Sequence, residues 1–470
     1  MFPLGGEDPR VILERLAEFS RGEPEPSGGR MFAHSYETGD AVLRRLLREA
    51  YELYMDKTML NFVMYPSILR LEREVVRAVA SLMDGGEEVT GNFTYGGTES
   101  IMLAVKASRE AFRASGKTGV PEVILPYTAH PAFLKAAVYL GLKPVFAPVD
   151  LETGKVDVDA VNEKVGGNTA LIVGSAPNYP YGSVDDIRGL SDIALDSKVL
   201  LHVDACIGGF ILPFLRDLGE RVPDFTFKLE GVTSISVDLH KYGYALKGAS
   251  VVLFRSRDLR KHNIFVGTRW PGYPLVNTAI LSTRSAGTLA ASWAAINYLG
   301  YKGYLKMAGK VLNAKRKLVA GLENLGLKIV GKPESSIVAF TGENVNVTLL
   351  SIDMARRGWR LQVQPGSLYL NFPPTLHMTI SPIHESSMDA FLKDLEETLR
   401  EHKPPAVEEA LKHVVSIVER EGYGKALEAL GIRGDSIISG ESMLLINELI
   451  RLMPPDIVEE ALAEAVNILI

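Results

Sequence analysis

A lysine, an aspartate, a histidine and a pair of glycines are spaced along this sequence as four parts of one site. Val237-Asp238-Leu239-His240-Lys241-Tyr242-Gly243 closes an apolar run with a histidine and a lysine. A lysine at a strand end is usually a solvated charge. Here Tyr242-Gly243-Tyr244-Ala245-Leu246-Lys247-Gly248 follows, a stretch poor in ordinary loop residues. A desolvated lysine beside other cationic groups has a depressed pKa and becomes a Schiff-base former, which is the expectation for Lys241.

Asp204 lies 37 residues earlier, at the end of the apolar run Leu201-His202-Val203-Asp204, about one strand-helix-strand step away. In open α/β sheets ligands sit beyond the carboxyl ends of strands, so Asp204 is placed to meet one; alone it is as readily a cap or turn residue. Thr94-Tyr95-Gly96-Gly97-Thr98-Glu99-Ser100 opens a helical pattern. Paired glycines, Thr98 and the helix dipole make a phosphate seat there, although Gly-Gly-Thr is also a routine helix entrance. Tyr127-Thr128-Ala129-His130-Pro131 joins a strand to a helix and offers His130 as a ring that can lie on a planar ligand, or as a structural histidine. Together the four match the needs of pyridoxal 5'-phosphate: a lysine for its carbonyl carbon, an acid for its pyridine nitrogen, a phosphate seat and a stacking partner.

The elements that must position these residues are legible from periodicity. Strands are expected at Glu122–Pro126, Pro144–Pro148, Ala170–Ser175, Leu200–Asp204, Ser234–Asp238 and Ser250–Phe254, with helices such as Thr98–Phe112 and Pro131–Leu140 between several of them. That alternation predicts an α/β fold, a mostly parallel sheet covered on both faces. Helical patterns also occupy about 41–56, 68–83 and 286–325, whereas 21–30 reads as a loop or arm. Residues 326–400 mix strand-like runs (Ser336–Phe340, Thr375–Ser381) with two helices, as in a smaller α+β domain, and 406–470 is helical in pattern, restarting at Pro454-Pro455. The expected division is an arm and helix (1–60), a large domain (61–305), a small domain (306–402) and a helical tail (403–470).

Composition restricts the class. The chain has 470 residues, 46% hydrophobic and 23% charged, with net charge −6 and pI about 5.9. Such a balance does not point to nucleic acid or an anionic membrane surface. One cysteine, Cys206, excludes an intramolecular disulfide framework and a multi-cysteine metal cage, and the histidines show no metal-ligand spacing. No apolar stretch reaches about 20 residues, and Glu7, Asp8, Arg10 and Glu14 interrupt the N-terminal segment. A cytoplasmic protein without a membrane anchor is expected.

The strings His202-Val203-Asp204-Ala205-Cys206-Ile207-Gly208-Gly209-Phe210 and Gly231 through Gly248 resemble the sphingosine-1-phosphate lyases, within the group II pyridoxal-phosphate-dependent decarboxylases. Gly96-Gly97-Thr98-Glu99-Ser100, Ala129-His130, Gly358-Trp359, Phe372-Pro373-Pro374 and His377 fall in the same order. The resemblance implies the aspartate-aminotransferase fold (fold type I) and a homodimer with active sites at the subunit interface. It implies that Lys241 carries the cofactor, Asp204 meets the pyridine nitrogen, His130 stacks, and Gly97, Thr98 and His240 hold the phosphate. Ser282-Thr283-Arg284-Ser285-Ala286-Gly287 resembles a family segment near the neighbouring subunit's cofactor, which brings in Ser285 and Gly287. The activity implied is retro-aldol cleavage of a phosphorylated amino alcohol; the alternative is decarboxylation of an amino acid. For a small-molecule amine substrate the candidates are Tyr51, Tyr36 and Asn61. Three positions depart from the family. Asn61 stands where a histidine is expected, the family's Pro-His-Gly is Pro180-Tyr181-Gly182, and its Ile-Tyr-Gly is Ile438-Ser439-Gly440. Trp270 and Tyr273, in Trp-Pro-Gly-Tyr-Pro, either line a substrate channel or form a rigid turn.

Overall fold

The computed structural model describes residues 2–403 and 440–469, together with Ser416, Ile417, Arg420 and Lys425. Its centre is a seven-stranded sheet of β1 (Thr90–Thr94), β2 (Glu122–Pro126), β3 (Lys143–Ala147), β4 (Thr169–Ser175), β5 (Leu200–Asp204), β6 (Val232–Asp238) and β7 (Ser250–Phe254), in the order β1-β7-β6-β5-β4-β2-β3. Only β7 runs against its neighbours. β4 and β7 are buried at every residue, so both faces of the sheet are covered, as their apolar runs require. The parallel strands end on one edge, and β7 starts there.

β1 escaped the sequence reading because Thr-Gly-Asn-Phe-Thr carries no apolar run. Its Asn92 and Thr94 are fully buried and bonded from outside the strand: Arg260 Nε donates to Asn92 Oδ1 (3.1 Å), and Thr94 Oγ1 pairs with Ser100 Oγ (2.6 Å), while Asn92 Nδ2 has no hydrogen-bond partner among the described residues.

A second sheet, wholly antiparallel, orders β8 (Lys328–Val330), β9 (Ile337–Thr341), β10 (Gln362–Gln364) and β11 (Thr375–Thr379) as β8-β9-β11-β10. Helices Val347–Arg356 and His384–Glu401 accompany it, giving the smaller α+β domain. The helix Gly287–Asn324 bridges the two regions and is broken at Gly300, whose φ of 55° and ψ of −179° are not helical. Helices Ala41–Glu52 and Pro66–Leu82 also agree with the sequence pattern. An additional helix, Pro9–Phe19, buries none of its residues. In the tail, helices cover Gly440–Leu452 and Pro455–Leu469, while Ser439 and His413 lie outside the described residues.

The segment from Arg30 to Glu37 straps onto the small domain. Phe32 N–H donates to Arg360 O (2.9 Å), Thr379 N–H to Phe32 O (2.6 Å), Ser381 Oγ to Ser35 O (2.9 Å) and Ile383 N–H to Glu37 O (3.2 Å). The fully buried Phe32 ring stacks on His384 with centroids 4.1 Å apart. Among the described residues no helix is long and apolar enough to cross a membrane.

Candidate active site

The loops at the carboxyl edge of the large sheet enclose a cavity of about 450 Å³, within the range of small-molecule sites. His130, Asp204, His240, Lys241, Gly97 and Thr98 all line it, so the structure brings together the six residues proposed for the cofactor on this chain.

Each is held locally. Gly96 adopts φ 101°, a conformation that suits glycine, and caps the helix Gly97–Ala114. In the first turn Glu99 Oε2 accepts from Tyr95 N–H (2.6 Å), while Oε1 accepts from Ile280 N–H (2.7 Å) and Leu281 N–H (3.0 Å). One carboxylate thus fixes the helix start and clamps the 280–284 segment beside it. A Cβ on Gly97 would lie 2.9 Å from both Asp238 carboxylate oxygens and from Cys206 Sγ, so only glycine brings the backbone so near them.

Asp204 Oδ1 accepts from Cys206 N–H (3.0 Å) and Ser236 Oγ (3.4 Å), which fixes the carboxylate. Oδ2 makes no hydrogen bond among the described residues and is left for a ligand. His130 Nδ1 accepts from Ala132 N–H (3.2 Å), so the ring proton sits on Nε2. Burial lowers its pKa, leaving a neutral, flat imidazole suited to stacking. His240 Nδ1 donates to Ala249 O (2.8 Å), and its Nε2 points toward Asp238 Oδ2 at 3.8 Å.

The expectation of a lysine with depressed pKa is overturned. Lys241 Nζ pairs with Asp238 Oδ2 at 2.9 Å, and the carboxylate is only 2% exposed. Burial alone would push the amine down. Asp238, with Tyr36, Cys206 and Asp204, outweighs it, and the net shift is upward. The sequence argument counted His240 as a cationic neighbour and did not see that Asp238, three residues back on the strand, turns onto the same amine.

Two further wall residues come from the structure. Tyr179 lines the cavity and stacks on the buried His377 at 4.1 Å. Lys247 Nζ donates to His34 O (3.0 Å) and sits 5.2 Å over the Tyr36 ring. The sequence candidate Tyr36 does not line this cavity; it arrives on the strap, meets Tyr242 edge-on at 5.1 Å and lines an adjoining pocket with His240 and Lys247. Burial lifts its hydroxyl to about 12, partly opposed by Lys241, so it stays protonated near neutrality.

The other sequence candidates do not line this cavity. Tyr51 packs where a Cβ on Gly287 would collide with its ring at 2.5 Å, Ser285 bridges to Thr58, and the exposed Asn61 accepts from Met64 N–H (2.9 Å). They form a separate group at the start of the helix Gly287–Asn324. Tyr181 is buried against Val330 and Ala339 of the small domain. Trp270 and Tyr273 are exposed, and Trp270 Nε1 donates to Tyr273 O (2.7 Å), which is the turn reading. His202 is packed, bonded to Ser234 and Ser236, and Cys206 is buried.

The pyridoxal-dependent decarboxylase conserved domain matches residues 31–342. The chain belongs to that family. Sphingosine-1-phosphate lyase of Oryza sativa is 38% identical over 360 residues, 75% of this chain and 66% of that protein, so the chain spans about two thirds of that relative's length. L-aspartate/L-glutamate decarboxylase of Pyrococcus horikoshii is 33% identical over 399 residues, 85% of this chain and 99% of that protein. The solved structure of a Burkholderia pseudomallei sphingosine-1-phosphate lyase superimposes with a TM-score of 0.81 at 36% identity, covering 90% of this chain and 97% of the other. The fold is therefore the fold type I arrangement, and pyridoxal 5'-phosphate is the cofactor. The residues present fit it. Ser175 Oγ and Asp238 Oδ1 are buried at the cavity wall without a hydrogen-bond partner among the described residues, and Gly97 and Thr98 present the helix start to the same cavity.

Proposed function

We propose that the chain is a pyridoxal-phosphate-dependent carbon–carbon lyase that cleaves a phosphorylated amino alcohol between its amine-bearing carbon and the neighbouring hydroxyl-bearing carbon. The observation that carries this is the 36% identity and TM-score of 0.81 to a bacterial sphingosine-1-phosphate lyase over 90% of the chain. Lys241 would hold the cofactor until the substrate amine displaces it, and the cofactor would then supply an electron sink for the pair released when a bond at the substrate's α-carbon breaks.

The chain's residues do the rest. Asp204 Oδ2 holds the proton on the pyridine nitrogen. The neutral His130 ring lies against the cofactor plane. The Gly97 and Thr98 backbone and His240 hold the phosphate at the helix N-terminus. Tyr36, whose hydroxyl and the Lys241 amine influence one another, is the proton carrier assigned to the substrate hydroxyl. Lys247, at the cavity wall, sets a positive charge where a phosphorylated head group enters.

A decarboxylase is the second reading, favoured by the Pyrococcus horikoshii enzyme, which this chain matches over 99% of its length. The same Lys241, Asp204 and His130 would serve, with the carboxylate bond set perpendicular to the ring plane. Product analysis on phosphorylated amino alcohols and on acidic and aromatic amino acids separates the two. Aldehyde plus phosphoethanolamine supports the lyase, and carbon dioxide plus an amine overturns it.

The working unit we infer is a homodimer in which Ser285 and Gly287, with Tyr51 and Asn61 beside them, complete the partner's site. Two features support it: that group stands apart from the Lys241 cavity, and the helix Pro9–Phe19 exposes Leu13, Leu16 and Phe19 by 55% or more. Sedimentation as a monomer at micromolar concentration would rule this out. The single, buried cysteine supports a reducing, cytoplasmic setting.

A further inference from the structure

Lys241 poses a chemical problem. Its amine must attack a carbonyl carbon, yet its surroundings hold it as an ammonium, which has no lone pair to attack with. The groups that bear on Nζ come from every side of the cavity: Asp204 and Cys206 beyond β5, Asp238 and His240 at the end of β6, Tyr36 from the strap. His130, Tyr179 and Lys247 add weaker influence from three further loops. Among the described residues only Asp238 brings a carboxylate oxygen within 4.0 Å of Nζ, at 2.9 Å.

Asp238 is suited to exchange protons with that amine and with little else. Its carboxylate is 2% exposed, its Oδ1 is buried with no hydrogen-bond partner among the described residues, and the Gly97 backbone closes its other side. The desolvated pair makes a neutral amine and a neutral carboxylic acid accessible from the charged form, because transfer removes two buried charges at once. His240 Nε2, at 3.8 Å, is the one other basic group within 4.0 Å of that carboxylate among the described residues.

We propose that Asp238 is the proton relay through which Lys241 forms and breaks its covalent bond to the cofactor's carbonyl carbon, an assignment that rests on Lys241 being the attachment point. The balance closes without another reactant. The ammonium carries three protons. One passes to Asp238 and frees the lone pair, the Nζ–C bond forms, and the C–O bond breaks. The oxygen leaves as water with two protons from Nζ, one of them returned through Asp238. The third stays on nitrogen. Release by water runs the same steps backward.

The test is the rate of covalent attachment to cofactor-stripped protein, followed by stopped-flow absorbance across roughly pH 6 to 9 and trapped with borohydride. Because the relay moves the proton internally, the wild-type rate constant should change by no more than about threefold over that range. In Asp238→Asn the proton must leave to solvent, so the rate should rise by about tenfold per pH unit as free amine appears. A merely structural role would change the amplitude and leave the slope flat. A flat profile in folded Asp238→Asn overturns the relay. So does a wild-type rate that itself climbs tenfold per unit, a result needing no variant. Parallel runs with pyridoxal, which lacks the phosphate, should keep both slopes, because the relay does not involve the phosphate seat. If the borohydride label maps to a different lysine, the attachment assignment fails instead.

Discussion

Two neighbouring strands of the large sheet, β5 and β6, each end in a buried aspartate, and the two ends behave differently. At β5 the backbone turns at once, Cys206 N–H and Ser236 Oγ bind one oxygen of Asp204, and the other oxygen faces the cavity. At β6 the chain continues through Leu239 and His240 before Lys241 returns onto Asp238. One carboxylate is tied down by uncharged donors and keeps a free acceptor for a ligand. The other is taken up by a charge from its own segment. Residue type and strand position are the same; the turn that follows decides whether the carboxylate serves the ligand or the lysine.

Breaking the β6 end outright gives the largest expected effect. Lys241→Ala should abolish both borohydride-stable labelling and absorbance near ~420 nm, the region of a protonated imine. A label persisting on that variant would refute the attachment assignment. Changing the β5 end should separate attachment from turnover. Asp204→Asn should still take up label yet lose roughly 10²–10³-fold in kcat, the scale of removing one preorganised electrostatic contact. A loss of attachment equal to the loss of turnover would erase the distinction between the two aspartates. Next comes Tyr36→Phe, expected to lower kcat by about 10²-fold with unchanged cofactor absorbance, as befits a proton carrier that the cofactor does not need for binding.

Gly97→Ala sharpens the contrast from the other side. A Cβ 2.9 Å from the Asp238 oxygens forces a shift worth about 1–3 kcal/mol. It should lower the melting temperature and weaken pyridoxal phosphate binding more than pyridoxal binding. A pH effect concerns three packed histidines, His202 on β5 and His377 and His384 in the small domain. His202 and His384 are held to about 4 and His377 to about 3, chiefly by burial. Each stays neutral in the folded chain while the unfolded chain takes up its proton below about pH 6.5. Their contribution is therefore intact above that pH and is lost as pH falls toward the folded values, by up to ~1.4 kcal/mol per unit for each. Asp185, lifted to about 6 by burial, works in the opposite direction between about pH 6 and 3.8. The urea midpoint should be flat above pH 7 and lower at pH 5, and equal midpoints would contradict this balance.

Much of this site was readable in the sequence because parallel strands must be apolar until they end, so each ending and the residue on it stand out. Asp204, Lys241, His130 and the Gly96-Gly97-Thr98 entrance all reach one cavity for that reason. β1 was invisible because it buries the polar Asn92 and Thr94, which take hydrogen bonds from side chains outside the strand. The charge state expected of Lys241 was wrong because a pKa depends on where neighbours point, and a strand's last side chain can turn either way. Tyr36 drew notice as a tyrosine without a position. Its ring partner Tyr242 lies more than 200 residues downstream, and the small domain's Ser381 and Ile383 hold its chain neighbours Ser35 and Glu37.

The strap from Arg30 to Glu37 divides its loyalties. Its backbone is pinned to the small domain through Phe32, Ser35 and Glu37, while its Tyr36 ring leans on Tyr242, next to Lys241 on the large sheet. Tyr36 is thus a finger of one domain laid on the working surface of the other. A chain shortened past residue 36 would lose the ring that packs on Tyr242, beside Lys241.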